Sequence, residues 1–294
     1  MLISTEIHSA AQLVGEERAV ELCAKAGFDA WDFSMVRNMC IYDRPTRTML
    51  HSDHPLAGPN YLAYARQLKQ IGLDNGIHCN QSHAPFPTAV PEVHAYLQRA
   101  IECTAEAGGK ICIIHPGNSK TVEENTEMYL QLLPFAKECG VLLAAENMFN
   151  WDKAQDRALF AACSTPESFC AHLDAVQDEN LVACLDIGHA EMMGDMTSAV
   201  EMILALGDRL QALHLHDNDR RHDRHRNLFT MDIDYTPIVQ ALKQIGYRGY
   251  LTMEANSHLK TFTADTALQG MEEMALAAKR LRHMMMSKNE KYSE

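Results

Sequence analysis

The chain has 294 residues, 47% of them hydrophobic, and a formal net charge of −13. With no Pro/Gly/Ser-rich linker or low-complexity run, this length favours a single domain over residues 1–294. The acidic balance argues against a broad basic surface for nucleic acid. No apolar stretch approaches a membrane span, the nine cysteines lack CxxC spacing, and no leader-like segment follows Met1. We therefore expect a cytoplasmic protein with reduced thiols.

Apolar runs and helical patterns alternate along the chain. Eight segments are predicted as strands: 2–7, 28–33, 76–83, 111–114, 141–145, 181–185, 210–213 and 249–253. Each is followed by a pattern typical of an amphipathic helix, at 16–25, 61–71, 91–107, 122–139, 166–177, 197–206, 235–245 and 264–285. The later strands are continuous apolar runs, which is typical of a parallel sheet covered on both faces. The pattern predicts an α/β fold, a single (β/α)8 TIM barrel, with a doubly wound open sheet as the alternative.

Residues 34–59, between the second strand and its helix, form the longest segment without a regular pattern. Loops of this length in compact domains are usually functional or disordered, and we interpret this segment as a lid over a pocket. It contains Arg37, Arg44 and Arg47, which suit a sugar phosphate or a carboxylate. The tail at 287–294 is expected to be frayed.

From the third strand onward, every strand ends in a polar side chain that can bind a metal or act as an acid or base. These residues are His83, His115, Glu146, Asp186 with His189, His214, and Glu254. In a closed barrel the carboxyl ends of the strands converge on one mouth, whereas an open sheet would spread them along an edge. This arrangement favours the barrel.

Residues 212–225 contain four His and three Asp directly after an apolar run. His214 and His216 are two residues apart, so they share one face of an extended segment. Neutral imidazole together with carboxylate suits Zn, Mn, Co or Fe better than Ca or Mg alone. A solvated His-rich loop is the alternative, and the polar residues at the other strand ends argue against it.

The chain resembles the xylose-isomerase-like barrel superfamily, which includes ketohexose 3-epimerases, inosose dehydratases, hydroxypyruvate isomerases and class IV apurinic endonucleases. The resemblance covers nearly the whole chain and rests on seven segments in the same order. They are HAPF at 83–86, IHPG at 114–117, AEN at 145–147, LDIGH at 185–189, HLHDNDR at 214–220, DRH at 223–225 and GYRGYLTME at 246–254.

The epimerase branch implies one divalent metal, Mn, Zn, Co or Mg, with four protein ligands. These match Glu146, Asp186, His214 and Glu254. A cation that binds both oxygens of a hydroxy-ketone acidifies the C–H bond between them and stabilises the enediolate. Glu146 and Glu254 would then lie on opposite sides of the sugar, one removing a proton and the other returning it. The alternative for either carboxylate is a buried ion pair, but no Arg or Lys lies close by on either strand.

The same branch implies which residues bind substrate. His189 and Arg220 match positions that hold substrate oxygens, with Arg220 six residues after His214, and His83 and His115 would bond a substrate hydroxyl. The substrate class implied is a small carbohydrate, sugar phosphate or polyol, undergoing isomerisation or epimerisation. No membrane or nucleic-acid partner is expected, and homo-oligomerisation is left open.

The endonuclease branch is the alternative, because the chain resembles it at nine positions that hold a trinuclear zinc cluster in that family. They are His83, His115, Glu146, Asp186, His189, His214, Asp223, His225 and Glu254. Several metals suit phosphodiester hydrolysis. The net charge and the lack of a Lys/Arg-rich stripe with wedging aromatics favour a carbohydrate instead. A catalytically inactive binding protein is a third alternative, against which the intact ligands argue.

Overall fold

A computed structural model describes residues 1–192 and 198–287. The strands in this part of the chain are β1 (Ile3–Glu6), β2 (Ala30–Ser34), β3 (Ile41–Asp43), β4 (Thr48–Leu50), β5 (His78–His83), β6 (Ile111–Ile113), β7 (Leu142–Glu146), β8 (Asn150–Asp152), β9 (Arg157–Leu159), β10 (Leu181–Asp186), β11 (Leu210–His214) and β12 (Leu251–Met253). The α-helices are α1 (His8–Val14), α2 (Glu16–Ala26), α3 (Tyr61–Asp74), α4 (Pro91–His94), α5 (Leu97–Ala107), α6 (Val122–Glu138), α7 (Pro166–Val176), α8 (Ile187–Glu191), α9 (Ala199–Leu206), α10 (Tyr235–Gln244) and α11 (Ala267–Met286).

Eight strands form one parallel sheet in the order β11, β10, β7, β6, β5, β2, β1, β12. The first and last strands of this order, β11 and β12, meet just beyond their carboxyl ends. The amide of Leu215 donates to the carbonyl of Thr252 and the amide of Glu254 donates to the carbonyl of Leu215, both at 2.9 Å. These bonds close the sheet into a barrel, so the TIM-barrel prediction is confirmed and the open sheet is excluded.

Local sequence signals fix where the surrounding helices begin and end. Helix α6 begins at a capping box, in which Thr121 accepts from the amide of Glu124 and Glu124 accepts from the amide of Thr121. Helix α2 ends at Gly27, whose φ of 89° is left-handed and favours glycine. None of the helices in the described ranges is both long enough and apolar enough to cross a membrane.

A small apolar cluster inside the barrel forms the floor of the site. It contains Ile113, Ala144, Val182, Cys184 and Ala212, all buried. Side chains along a strand return to the same face every two residues. Four ligand candidates stand two positions after a floor residue and therefore also face the barrel interior. They are His115, Glu146, Asp186 and His214, which follow Ile113, Ala144, Cys184 and Ala212. The strand register thus places the predicted ligands in one layer above an apolar floor.

Several short elements were not predicted. Segment 34–59 contains the β3/β4 hairpin and a 3-10 helix at Pro55–Ala57, and the loop after β7 contains the β8/β9 hairpin. The predicted helix at 91–107 is two helices, α4 and α5, and α1 precedes the predicted first helix. A strand of three residues is too short for an alternation of apolar and polar side chains to be recognised. Residue 197 of one predicted helix, and residues 288–294 of the predicted tail, lie outside the described residues.

The lid segment 34–59 is attached to the outer helices through one buried carboxylate. Glu16, at the start of α2, accepts hydrogen bonds from the Asn38 amide at 2.6 Å, the Tyr64 hydroxyl at 2.5 Å and the His54 ring at 2.7 Å. Asn38 and His54 belong to the lid, and Tyr64 belongs to α3. A fully bonded buried carboxylate of this kind holds the lid in a defined position.

Candidate metal centre and substrate cavity

Four predicted metal ligands converge at the carboxyl ends of β7, β10, β11 and β12. Glu146, Asp186, His214 and Glu254, called here the quartet, each offer one ligand atom, and these atoms all lie within 4.8 Å of one another. His214 Nδ1 is 3.0 Å from Glu146 Oε1 and 3.4 Å from Glu254 Oε2. The geometry thus brings together residues as far apart in the chain as Glu146 and Glu254.

The quartet fits a divalent cation. It gathers three carboxylates and one imidazole, of which Glu146, Asp186 and His214 are buried and Glu254 is partly exposed, and in the described part of the chain no Lys or Arg forms an ion pair with any of them. Asp186 Oδ2 is buried without a hydrogen-bond partner. A buried carboxylate oxygen left unpaired is costly, and a cation would satisfy it. Mixed oxygen and nitrogen donors are typical of Zn, Mn and Co sites.

A carboxylate behind the ring determines which nitrogen of His214 faces the quartet. Asp32, on β2, is fully buried, and its Oδ2 lies 3.4 Å from His214 Nε2 and accepts from the Gln81 amide at 2.8 Å. This contact leaves His214 Nδ1 directed at the quartet. Such outer partners of a ligating His fix its tautomer and orientation. Spacing in the sequence carried no signal for Asp32, because it lies inside a predicted strand.

The two glutamates of the quartet have different electrostatic environments. Burial by itself would raise the pKa of Glu146, but the rings of His214 and His115 outweigh it and hold that pKa well below its usual range. Burial raises the pKa of Glu254, and His214 and His225 offset this only in part. Carboxyl pairs whose pKa values are pushed apart are typical of acid and base partners.

A second group of ligands shares Glu146 with the quartet. His115 Nε2 lies 3.0 Å from Glu146 Oε2 and 2.8 Å from His83 Nε2, and His83 Nε2 lies 3.4 Å from the same oxygen. Burial lowers the pKa of His115 to about 4, so its ring is neutral near pH 7. Neutral rings with free nitrogens can bind a metal or a substrate hydroxyl.

A third group lies on the other side of the quartet. Asp223 Oδ2 is 3.0 Å from His225 Nε2 and 3.6 Å from His189 Nε2. The Nδ1 atoms of both rings face main-chain carbonyls, that of Asn147 at 2.9 Å for His189 and that of Glu254 at 2.7 Å for His225. These bonds direct both Nε2 atoms towards Asp223. All nine residues shared with the endonuclease pattern therefore lie in three adjoining groups.

Arg220 is the one predicted site residue that the structure does not bring to this mouth. Its Nη2 lies 3.2 Å from Glu191 Oε2, and 46% of its side chain is exposed. It does not line the cavity described below. Its contact with substrate oxygens stays a prediction.

A cavity of about 440 Å³ lies above the three groups and opens to the surface. Glu146 and Glu254 line it together with His83, His115 and His189. Its wall also contains residues that the sequence did not single out: Glu6, Ser34, Phe86, Phe149 and Trp151. Glu6 and Ser34 are the last residues of β1 and β2, so extending the strand-end rule to these strands would have found them. Phe149 and Trp151 lie at the β8/β9 hairpin and had no such signal.

His216, the second histidine of the 212–225 segment, supports the quartet from the side of the third group. Its Nε2 lies 3.0 Å from Asp186 Oδ1, and its ring stacks on His225 with centres 3.9 Å apart. A Cβ built on Gly188 would lie 1.9 Å from His216 Cε1. Only glycine at position 188 leaves room for this ring.

Replacing Gly188 by Ala is expected to displace His216 and disturb Asp186. We expect a loss of about 1–3 kcal/mol in the free energy of unfolding, as for other overpacked sites. Metal affinity should fall about 10- to 100-fold, because His216 orients a predicted ligand. Thermal unfolding and metal titration measure both effects. Gly58→Ala is the control, since its Cβ would be 3.6 Å from its nearest neighbour, the Pro55 carbonyl oxygen. Equal behaviour of the two variants would contradict the prediction.

Comparison with known proteins agrees with the fold. The family model described as xylose isomerase-like TIM barrel matches residues 20–282. An uncharacterized protein of Methanocaldococcus jannaschii is 27% identical over 256 residues, covering 80% of this chain and 78% of that protein. The L-ribulose 3-epimerase of Methylomonas sp. (strain DH-1) is 34% identical over 87 residues, covering 30% of this chain and 28% of that enzyme.

Among solved structures, a D-tagatose 3-epimerase-like protein superposes with a TM-score of 0.69 at 19% identity, covering 96% of this chain and 99% of that one. A likeness at this identity shows the shared fold. The family model, in contrast, matches the sequence itself, and the matched residues 20–282 include all three ligand groups. The chain belongs to the xylose isomerase-like TIM barrel family.

Proposed function

We propose that this protein is a divalent-metal-dependent isomerase or epimerase of a sugar, sugar phosphate or polyol. The observation that supports this proposal is the position of two carboxylates. Glu146 and Glu254 belong to the quartet and also line the cavity, whereas Asp186 and His214 are not among the residues that line it. Two groups able to move protons thus face the substrate space beside a site for a cation.

Each side chain has a distinct task in the proposed reaction. A divalent cation held by the quartet would polarise a carbonyl and a neighbouring hydroxyl oxygen of the substrate, which acidifies the C–H bond between them. One of Glu146 and Glu254 removes that proton, and the other returns a proton to the opposite side. His115 Nε2 lies 3.0 Å from Glu146 Oε2, so the second oxygen of this carboxylate is oriented before substrate binds.

The remaining cavity residues bind and shield the substrate. The bond of His189 Nδ1 to the Asn147 carbonyl fixes the ring, and its Nε2 lies 3.6 Å from Asp223 Oδ2, beyond hydrogen-bond distance, so it can bond a substrate hydroxyl. The rings of Phe86, Phe149 and Trp151 give apolar surfaces on which the C–H face of a sugar can pack, and they keep water from the reacting carbons. The similarity to an L-ribulose 3-epimerase and to a D-tagatose 3-epimerase-like structure supports a carbohydrate substrate.

The second candidate is a phosphodiesterase with several metal ions. It is favoured by one specific observation, namely that His83 with His115, and Asp223 with His225, extend the quartet on both sides. Adjacent metals can stabilise the attacking and the leaving oxygen of a displacement. The net charge of −13 argues against a nucleic-acid substrate.

An activity screen with the metal-loaded protein separates these candidates. We expect at least one ketohexose, ketopentose or inosose to exchange a carbon-bound hydrogen for deuterium in D₂O, because the proposed reaction passes through proton removal. NMR measures the exchange, and the same mixture without divalent metal is the control. Cleavage of abasic-site DNA without exchange in any sugar would instead support the phosphodiesterase.

A further inference from the structure

One Arg side chain reaches a cavity whose wall carries four carboxylates. Among residues 1–192 and 198–287, Arg44 is the only Lys or Arg that lines it, and Glu6, Glu146, Asp223 and Glu254 all lie in the same wall. Arg44 lies in the turn between β3 and β4, at the tip of the lid hairpin. The other two lid arginines, Arg37 and Arg47, do not line the cavity.

A second chamber of about 450 Å³ adjoins the first and shares part of its wall. The shared residues are Arg44, Phe86, His115, Asn118 and Met148. Lys120 also lines the second chamber, but its Nζ lies 2.6 Å from Glu124 Oε1, so its charge is already paired. Arg44 is therefore the cation at the boundary between the chambers.

The guanidinium of Arg44 has no acidic partner within the described ranges. Its central carbon lies 5.7 Å from the ring centre of Phe86, and that ring stacks on His115 with centres 4.6 Å apart. Since His115 contacts Glu146 at 3.0 Å, the rings of Phe86 and His115 lie between the guanidinium and the predicted reaction centre. The bonds of Asn38 and His54 to Glu16 hold the lid that carries Arg44. The cation thus lies beside the substrate space, and its exposed side chain makes no hydrogen bond to a protein group in the described ranges.

We propose that the substrate carries an anionic group, a phosphate or a carboxylate, at the end away from the reacting carbons, and that Arg44 binds this group. The inference rests on the proposed isomerase or epimerase function and narrows its substrate class. A planar guanidinium donates two parallel hydrogen bonds to either anion, which gives orientation as well as affinity. The second chamber leaves space for a group that a free monosaccharide lacks.

Binding of three related ketoses to the metal-loaded protein tests this proposal. The probes are D-fructose, D-fructose 6-phosphate, and D-fructuronate with a carboxylate in place of the terminal hydroxymethyl group. We expect the phosphate or the carboxylate to bind about 10- to 100-fold more tightly than D-fructose, as measured by calorimetry. Whichever anion binds more tightly identifies the group. In Arg44→Gln the ratio of the dissociation constant of D-fructose to that of the anionic ketose should fall to about 1. In Arg47→Gln, which changes a lid arginine outside the cavity, the ratio should stay as in the wild-type protein.

Two outcomes would overturn the inference. Equal binding of all three ketoses by the wild-type protein would show that no anion is selected. An equal loss of the preference for the anionic ketose in Arg44→Gln and Arg47→Gln would assign that preference to the overall charge of the lid. In both cases the proposed function would stand, since D-fructose still binds. If none of the three ketoses binds to the metal-loaded protein, the inference also fails, whereas the proposed function is decided separately by the deuterium-exchange screen.

Discussion

Replacing Glu254 by Gln is expected to lower turnover by about 10²- to 10⁴-fold, the range typical of a lost general acid or base. Gln has nearly the same shape, so the packing beside β12 should be retained, but an amide cannot accept the proton that the carboxylate exchanges with substrate. Steady-state rates at saturating metal measure the loss. Thermal unfolding and metal titration on the same samples separate lost chemistry from a lost fold or a lost ion.

Two further variants make this result specific. Glu146→Gln should cause a loss of similar size, because the proposed reaction needs both carboxylates. Glu6→Gln is the matched control: Glu6 is buried in the same cavity wall, but it accepts from the amide and hydroxyl of Ser9 and belongs to none of the three ligand groups. We expect its rate to fall by less than about 10-fold. Full activity in Glu254→Gln or Glu146→Gln would remove the two-base proposal.

Removing the metal with a chelator is expected to abolish activity and destabilise the fold. The buried carboxylates of the quartet lose the cation that compensates their charges, so the folded state loses the free energy of metal binding. For an ion present at 100 to 1,000 times its dissociation constant, this amounts to about 3–4 kcal/mol. Thermal unfolding with and without chelator measures it, and adding Mn, Zn, Co or Mg back should restore both properties. An unchanged melting temperature and full activity would exclude a resident metal.

The number of ions restored distinguishes the two candidate functions. We expect about one tightly bound divalent ion per chain by elemental analysis, held by the quartet. His225→Ala should then lose little metal, because His225 belongs to the third group and not to the quartet. Two or three zinc ions per chain, together with a large loss of metal in His225→Ala, would support the phosphodiesterase.

The barrel could be predicted because its strands are buried on both faces. Continuous apolar runs such as 181–185 stand out, and a polar residue such as Asp186 then marks the strand end. The convergence of Glu146, Asp186, His214 and Glu254 followed from barrel closure alone. Sequence spacing carried no comparable signal for contacts between distant segments, such as the bond between Asp32 and His214.

The remaining parts of the site depend on tertiary contacts that a linear pattern does not contain. The lid sequence offered three arginines, and only the fold of the β3/β4 hairpin selects Arg44. Arg220 is a substrate-binding residue only by the family resemblance, and its contact with Glu191 at 3.2 Å, which no linear pattern contains, sets its position here. Trp151 lies on a strand of three residues, which is too short to show a period.

The alternation of floor and ligand residues also limits how such a protein can diverge. Removing one residue from the middle of β7, β10 or β11 would reverse the facing of every later side chain in that strand, so that a chelating group would point towards the outer helices and an aliphatic one towards the mouth. Insertions and deletions inside these strands should therefore be incompatible with the site. New specificities on this scaffold are expected to arise from length changes in the segments that follow the strands, where the hairpins carrying Arg44 and Trp151 already lie.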